Sequence, residues 1–229
     1  MKNRPSDSPL KAMKFPRQAI LAYAIGVGAL CGPGFALAQP AKLGTYSGTI
    51  SATGTEVDPK VSYRVRAKVS LPVTERKGSS VTAEFLAGEA PNSTVLISQW
   101  DSSQTEKSPD SGGQYNSWSC SLAAPVEIPM TTTGVLNVDL KTKKHAMSIT
   151  LVSTRDVAFN CKHSRSGPYK KNAGIALTLG TGAPGMQYET QLPFSDAARL
   201  TAKHTLMPTA ATRTQYGPIV QEWDLQAGK

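Results

Sequence analysis

A chain of 229 residues, 39% of them hydrophobic, is long enough to bury a sizeable core, and its 19 glycines and 16 prolines suit short strands and many turns. Its formal charge of +9 favours solubility and attraction to anionic surfaces and is no argument for a nucleic-acid partner. With aromatics at 7% and charge on the wet faces of its strands, it lacks the aromatic girdles and lipid-facing stripes of an outer-membrane barrel.

Residues 1–38 read as a secretory signal peptide. Met1–Lys14 is polar and basic, Arg17 leads into the apolar run Ala19–Leu30, Gly32–Gly34 breaks it, and Ala36-Leu37-Ala38 supplies an A-x-A site. Cleavage after Ala38 leaves 39–229 as a single all-β domain, exported to the periplasm or the exterior. Met13 is an alternative start, and an uncleaved anchor is the alternative to cleavage. The run is short for a membrane span of ~20 residues. Leu30, where a small residue is wanted, argues against a lipoprotein site at Cys31. Five of the 25 basic residues and one of the 16 acidic ones precede the cleavage point, which takes the net charge from +9 to +5.

Gly44–Thr53 alternates loosely and Gly54–Lys60 is a turn. Val61–Leu71 then alternates without a break: Val61, Tyr63, Val65, Ala67, Val69 and Leu71 against Ser62, Arg64, Arg66, Lys68 and Ser70. Strand side chains point alternately to opposite faces, so this is a central strand with one buried and one wet face. Pro72–Ser80 is expected to be the long loop of a hairpin returning through Val81–Ala87. Ser93–Trp100 is a strand, Asp101–Gly113 a polar loop, and Tyr115–Leu122 a strand. Gly134–Leu140 and His145–Val152 form a pair. Asp156–Cys161 is followed by a basic loop, Lys162–Asn172, and then by strands at Ala173–Leu179 and Met186–Leu192. Ser195–Ala202 reads either as a short helix capped by Ser195 or, through the alternation of Leu200, Ala202, His204 and Leu206, as a strand. Pro218–Leu225 is the last strand. About ten strands with at most one short helix make an antiparallel β-sandwich or soluble β-barrel.

Without Cys31, Cys120 and Cys161 remain. Both fall at inward positions of predicted strands, beside Trp118 and Phe159, and an even count in an oxidising compartment predicts a disulfide. Their spacing matches no C-x-x-C or zinc-ribbon pattern, although His145 and His163 stand near enough in sequence to raise a metal site as the alternative. No metal or cofactor is expected.

Catalytic signatures are missing from 39–229: there is no G-x-S-x-G, S-x-x-K, H-E-x-x-H or G-K-[ST] there, and the one S-x-x-K match, Ser8–Lys11, falls in the signal segment. Gly180–Gly185 matches G-x-G-x-x-G, but Pro184 and a β-like segment follow where a phosphate-binding helix is required, so it reads as a turn. Asp101, Glu106 and Asp110 lack the turn glycine of a calcium loop. His145, His163 and His204 are the only candidate bases. Glu222 and Asp224, two apart on a strand and so roughly 6.5–7 Å between Cα atoms, have a separation that suits a glycosidase carboxylate pair.

Two basic groups complete the inventory. Arg64, Arg66 and Lys68 project from the wet face of the opening strand, and Lys162, Arg165, Lys170 and Lys171 crowd the loop after the second cysteine. If adjacent, they form an anion-binding face for a polysaccharide, a lipid headgroup or an envelope protein. The expectation is therefore an exported, non-catalytic β-domain with a binding or assembly role at the cell envelope. Its alternatives are a secreted hydrolase using Glu222 and Asp224 or a histidine, and a subunit of a surface fibre or envelope complex.

Overall fold

The computed structural model describes residues 44–85, 93–107, 115–182, 186 and 190–228. The signal-peptide reading of 1–38 lies outside them. The described residues are all-β and contain no helix; thirteen strands join in one antiparallel sheet.

The alternating stretch is the middle of β2 (Lys60–Lys77), the longest strand. Val61, Tyr63, Val65, Ala67, Val69 and Leu71 are all buried, while Arg64, Arg66 and Lys68 are exposed, as two-residue periodicity dictates. β1 (Thr45–Glu56) pairs β2 from Thr45↔Pro72 to Glu56↔Val61. On its other side β1 pairs β13 (Tyr216–Gly228), starting from Thr45 opposite Gly228, and β12 (Arg199–Leu206) lies beyond.

On the far side of β2, two strands lie end to end. Its second half pairs β3 (Ser80–Phe85), and its first half pairs β4 (Ser93–Lys107). β6 (Val126–Asp139) spans both from the opposite flank. Pro129 fits inside β6 because β7 (Lys144–Ser153) begins pairing only at Met130↔Ser153, so the missing N–H falls where no strand runs alongside. β7 then carries β10 (Ala176–Gly180) and β11 (Leu192–Pro193). The far half of β4 carries a second arm, through β5 (Tyr115–Leu122) and β8 (Val157–His163) to β9 (Gly167–Ala173).

The sheet curls until its inner faces share one core. Ile50, Val65, Leu71, Trp223 and Leu225 from β1, β2 and β13 belong to the same buried cluster as Leu136, Met147, Ile149, Leu151 and Leu179 from β6, β7 and β10. Where β13 meets β10, a side chain replaces the ladder. Gly180 N–H donates to Gln221 Oε1 at 2.7 Å, and Gln221 Nε2 donates to the Gly180 carbonyl at 3.0 Å. Next to it, Trp223 Nε1 donates to His145 Nε2 at 3.2 Å. Gly180 has φ +125°, and a Cβ there would run into the Met147 carbonyl, so the position admits only glycine.

Several expectations are corrected. The Pro72–Ser80 loop is a tight hairpin in which Lys77 pairs Ser80 and Gly78, at φ +59°, supplies the turn. Residues 101–107, expected as loop, continue β4. Both their faces are polar because this arm stands partly in solvent, and two-residue alternation of hydrophobicity is then lost. The basic loop is the β8–β9 hairpin, turning at 164–166. Ser195–Ala202 holds no helix: Asp196 Oδ1 accepts the Ala198 N–H in a local turn, and the strand begins at Arg199. Of the Met186–Leu192 strand, the described residues show Met186 bridged to Pro208 and Leu192 opening the two-residue β11.

Candidate functional site

The wet face of the sheet is built by the same alternation that builds the core. Reading across the register, Lys203 of β12 stands opposite Glu222 of β13, which stands opposite Ser51 of β1, Arg66 of β2 and Leu96 of β4 in turn. The neighbouring row puts Thr53 opposite Arg64 and Arg64 opposite Gln99. A β-bulge at Ser98 adds one residue to β4 here and turns both Ser98 and Gln99 outward; Ser98 Oγ donates to the Arg64 carbonyl at 3.1 Å. The result is a shallow depression of about 380 Å³ lined by Ser51, Thr53, Arg64, Arg66, Ser98, Lys203 and Glu222, with the exposed apolar side chains of Leu96 on β4 and Val220 on β13 at opposite sides of it.

The same face continues into the second arm. Lys60 is in line with Ser103, Ser119 and Lys162, and the row beside it runs Ser62, Asp101, Ser121, Asn160, Lys170. Three strand spacings separate Lys60 from Lys162, roughly 14 Å. Between them lies a second hollow of about 290 Å³ whose rim carries Ser103, Thr105, Ser117, Ser119, Lys162 and Ser164. The disulfide joins Cys120 to Cys161, which are opposite each other on β5 and β8, and fastens the strand that presents Lys162. The disulfide expected from sequence is therefore present, and it is buried.

Of the seven basic residues singled out by sequence, Arg64, Arg66, Lys162 and Lys170 share this outer face. Lys68 also points outward, but it pairs with Glu127 at 3.4 Å. Arg165 sits in the β8–β9 turn, which His163 holds: its Nδ1 accepts the N–H of Arg165 at 3.2 Å and of Ser166 at 3.4 Å. Lys171 belongs to the opposite face, one residue out of phase with Lys170. Sequence reasoning missed Lys60, assigned to a turn, and Lys203, whose place on the wet face follows only once the strand reading of 199–206 is taken.

The carboxylate pair is divided between two environments. Asp224 is gripped by Arg199 through two hydrogen bonds of 2.9 and 2.7 Å, which hold its carboxyl below the usual range. A glycosidase acid needs the reverse shift. Glu222 lies in the depression across from Lys203. Burial pushes the pKa of both His145 and His204 down. Among the described residues none of the three histidines bonds a serine or carboxylate side chain, and no group of three or more His, Cys, Asp or Glu side chains is placed to hold a metal ion.

No protein-family model, curated protein or solved structure matches this chain.

Proposed function

We propose that this chain is an exported, non-catalytic β-domain with a binding role at the cell envelope, and that it meets an anionic partner through the outer face of its sheet. The observation that carries this reading is the register. It gathers Arg64 and Arg66 with Lys60, Lys203, Lys162 and Lys170 on one face, although they are scattered over more than a hundred residues of sequence. Among the described residues, no carboxylate forms an ion pair with Arg64 or Arg66. Two such arginines, two apart on a rigid strand, present forked donors about 7 Å apart without further ordering of the backbone.

The test is binding of the purified protein to polygalacturonate, dextran sulfate and phosphatidylglycerol vesicles over a series of salt concentrations. At least one of these anions is expected to bind at low salt, with affinity falling steadily as salt rises. Absence of binding to all three at low salt would overturn the proposal.

A further inference from the structure

We infer that the two hollows on the outer face are successive subsites for one extended acidic polysaccharide, a glycan bearing carboxylates along its chain. The inference rests on the anion-binding reading of that face and specifies its ligand.

The lining chemistry favours a sugar over the other anions. The first hollow combines Arg64, Arg66 and Lys203 with the acceptor Glu222, the hydroxyls of Ser51, Thr53 and Ser98, and the apolar side chains of Leu96 and Val220 at its two sides. Cations suit a sugar carboxylate, and Glu222 and the hydroxyls suit the ring hydroxyl groups. Leu96 on one side and Val220 on the other each offer an apolar surface to the C–H face of a pyranose. A carboxylate inside the site weakens it for a densely sulfated or phosphorylated surface, through like-charge repulsion. The second hollow is almost wholly hydroxyl-lined, with Ser103, Thr105, Ser117, Ser119 and Ser164 around it and Lys162 as its charge.

Shape selects the same ligand. Strands in a sheet rotate by roughly 20–25° each, so the three steps from β2 to β8 turn the face by about 60–75°. A planar membrane cannot follow that turn along its length, whereas a flexible chain can. From Gln99, beside Arg64, to Ser103, on the rim of the second hollow, is four residues along β4, roughly 13 Å, with further strand spacings across. A single sugar cannot reach both hollows; an oligomer of several units can. Occupying both then converts the second contact into an intramolecular one and raises affinity with chain length.

The experiment is titration of the full chain with galacturonate monomer, trimer and decamer, with neutral maltooligosaccharides, dextran sulfate and phosphatidylglycerol vesicles alongside. Affinity is expected to step up between trimer and decamer. Arg64→Ser with Arg66→Ser should reduce decamer affinity by roughly tenfold or more, and Lys162→Ser should remove the step between trimer and decamer. Lys141→Ser with Lys144→Ser, which removes the same charge in the β6–β7 turn, should change it little. All replaced side chains are exposed, so thermal unfolding should match the parent. If dextran sulfate and vesicles bind as tightly as the decamer, the subsite inference falls and the broader anion-binding reading stands; if the two double variants lose affinity equally, binding is not centred on this face and both fall. If no anion binds at low salt, both fall.

Discussion

Gln221 shows how much one polar side chain can organise. It is buried on the inner face of β13, where every alternate neighbour is apolar. Its amide presents a donor and an acceptor in the spacing of a peptide group, and Gly180 supplies the complementary pair. Replacing it by leucine would leave the Gly180 N–H and carbonyl without partners, and each such buried group costs about 1–3 kcal/mol. Gln221→Leu is therefore expected to lower stability by about 2–5 kcal/mol in urea unfolding, despite the gain in apolar burial. His145 makes a second prediction. With Nε2 accepting from Trp223, protonation there would remove the acceptor and place a charge in the core. Burial holds the folded pKa below the ordinary value near 6.5, so the unfolded chain takes up the proton first. The stability His145 contributes is whole above about pH 6.5 and is lost as the pH falls through and below that value. His204 shifts in the same direction. The melting temperature should drop between pH 6.5 and 5, and His145→Gln, which keeps an acceptor without the titration, should flatten that drop.

At the scale of elements, the second arm is the part that needs a staple. β5, β8 and β9 are mostly exposed or half-buried, and their core contribution is limited to Cys120, Val157, Phe159 and Cys161 with partly buried neighbours such as Trp118 and Leu122. Hydrophobic burial alone holds such strands weakly. The Cys120–Cys161 bridge spans 41 residues of sequence, for which loop-closure entropy gives about 4 kcal/mol. Cys120→Ala with Cys161→Ala should therefore cost about 2–4 kcal/mol, and hydrogen exchange should rise first in β8 and β9 rather than in β1, β2 and β13. Equal loss of protection across all strands would contradict this division of labour.

Over the whole molecule, sequence pattern and structure agree where a strand has one dry and one wet face. Val61–Leu71 is of this kind, as is the inward placement of both cysteines. The reading failed where that contrast is weak. Residues 101–107 meet water or polar neighbours on both sides, so their extension of β4 left no alternating hydrophobic trace. The Lys162–Asn172 stretch looked like a loop because lysines occupied both faces of an edge strand, a composition that also discourages pairing with other chains. The basic face was legible as two groups of residues, and its continuity was not. Whether Arg64 and Lys162 share a face depends on the order β2-β4-β5-β8, in which none of the first three partners follows its neighbour directly from a hairpin rule except β4 with β5. The closure through Gln221 and Gly180 was invisible for the same reason: a glutamine at an inward position looks like a break in the pattern until its partner, 41 residues away in sequence, is known.

The pairing of Thr45 with Gly228 also has a mechanical meaning. Because β1 and β13 are antiparallel neighbours, the two ends of the described fold leave from the same end of one ladder. Tension applied between those ends opens that ladder like a zipper, one pair of hydrogen bonds at a time, whereas strands pulled in shear must break many together. The fold therefore yields readily to a load carried through both ends. Held by one end only, it bears no load across this ladder.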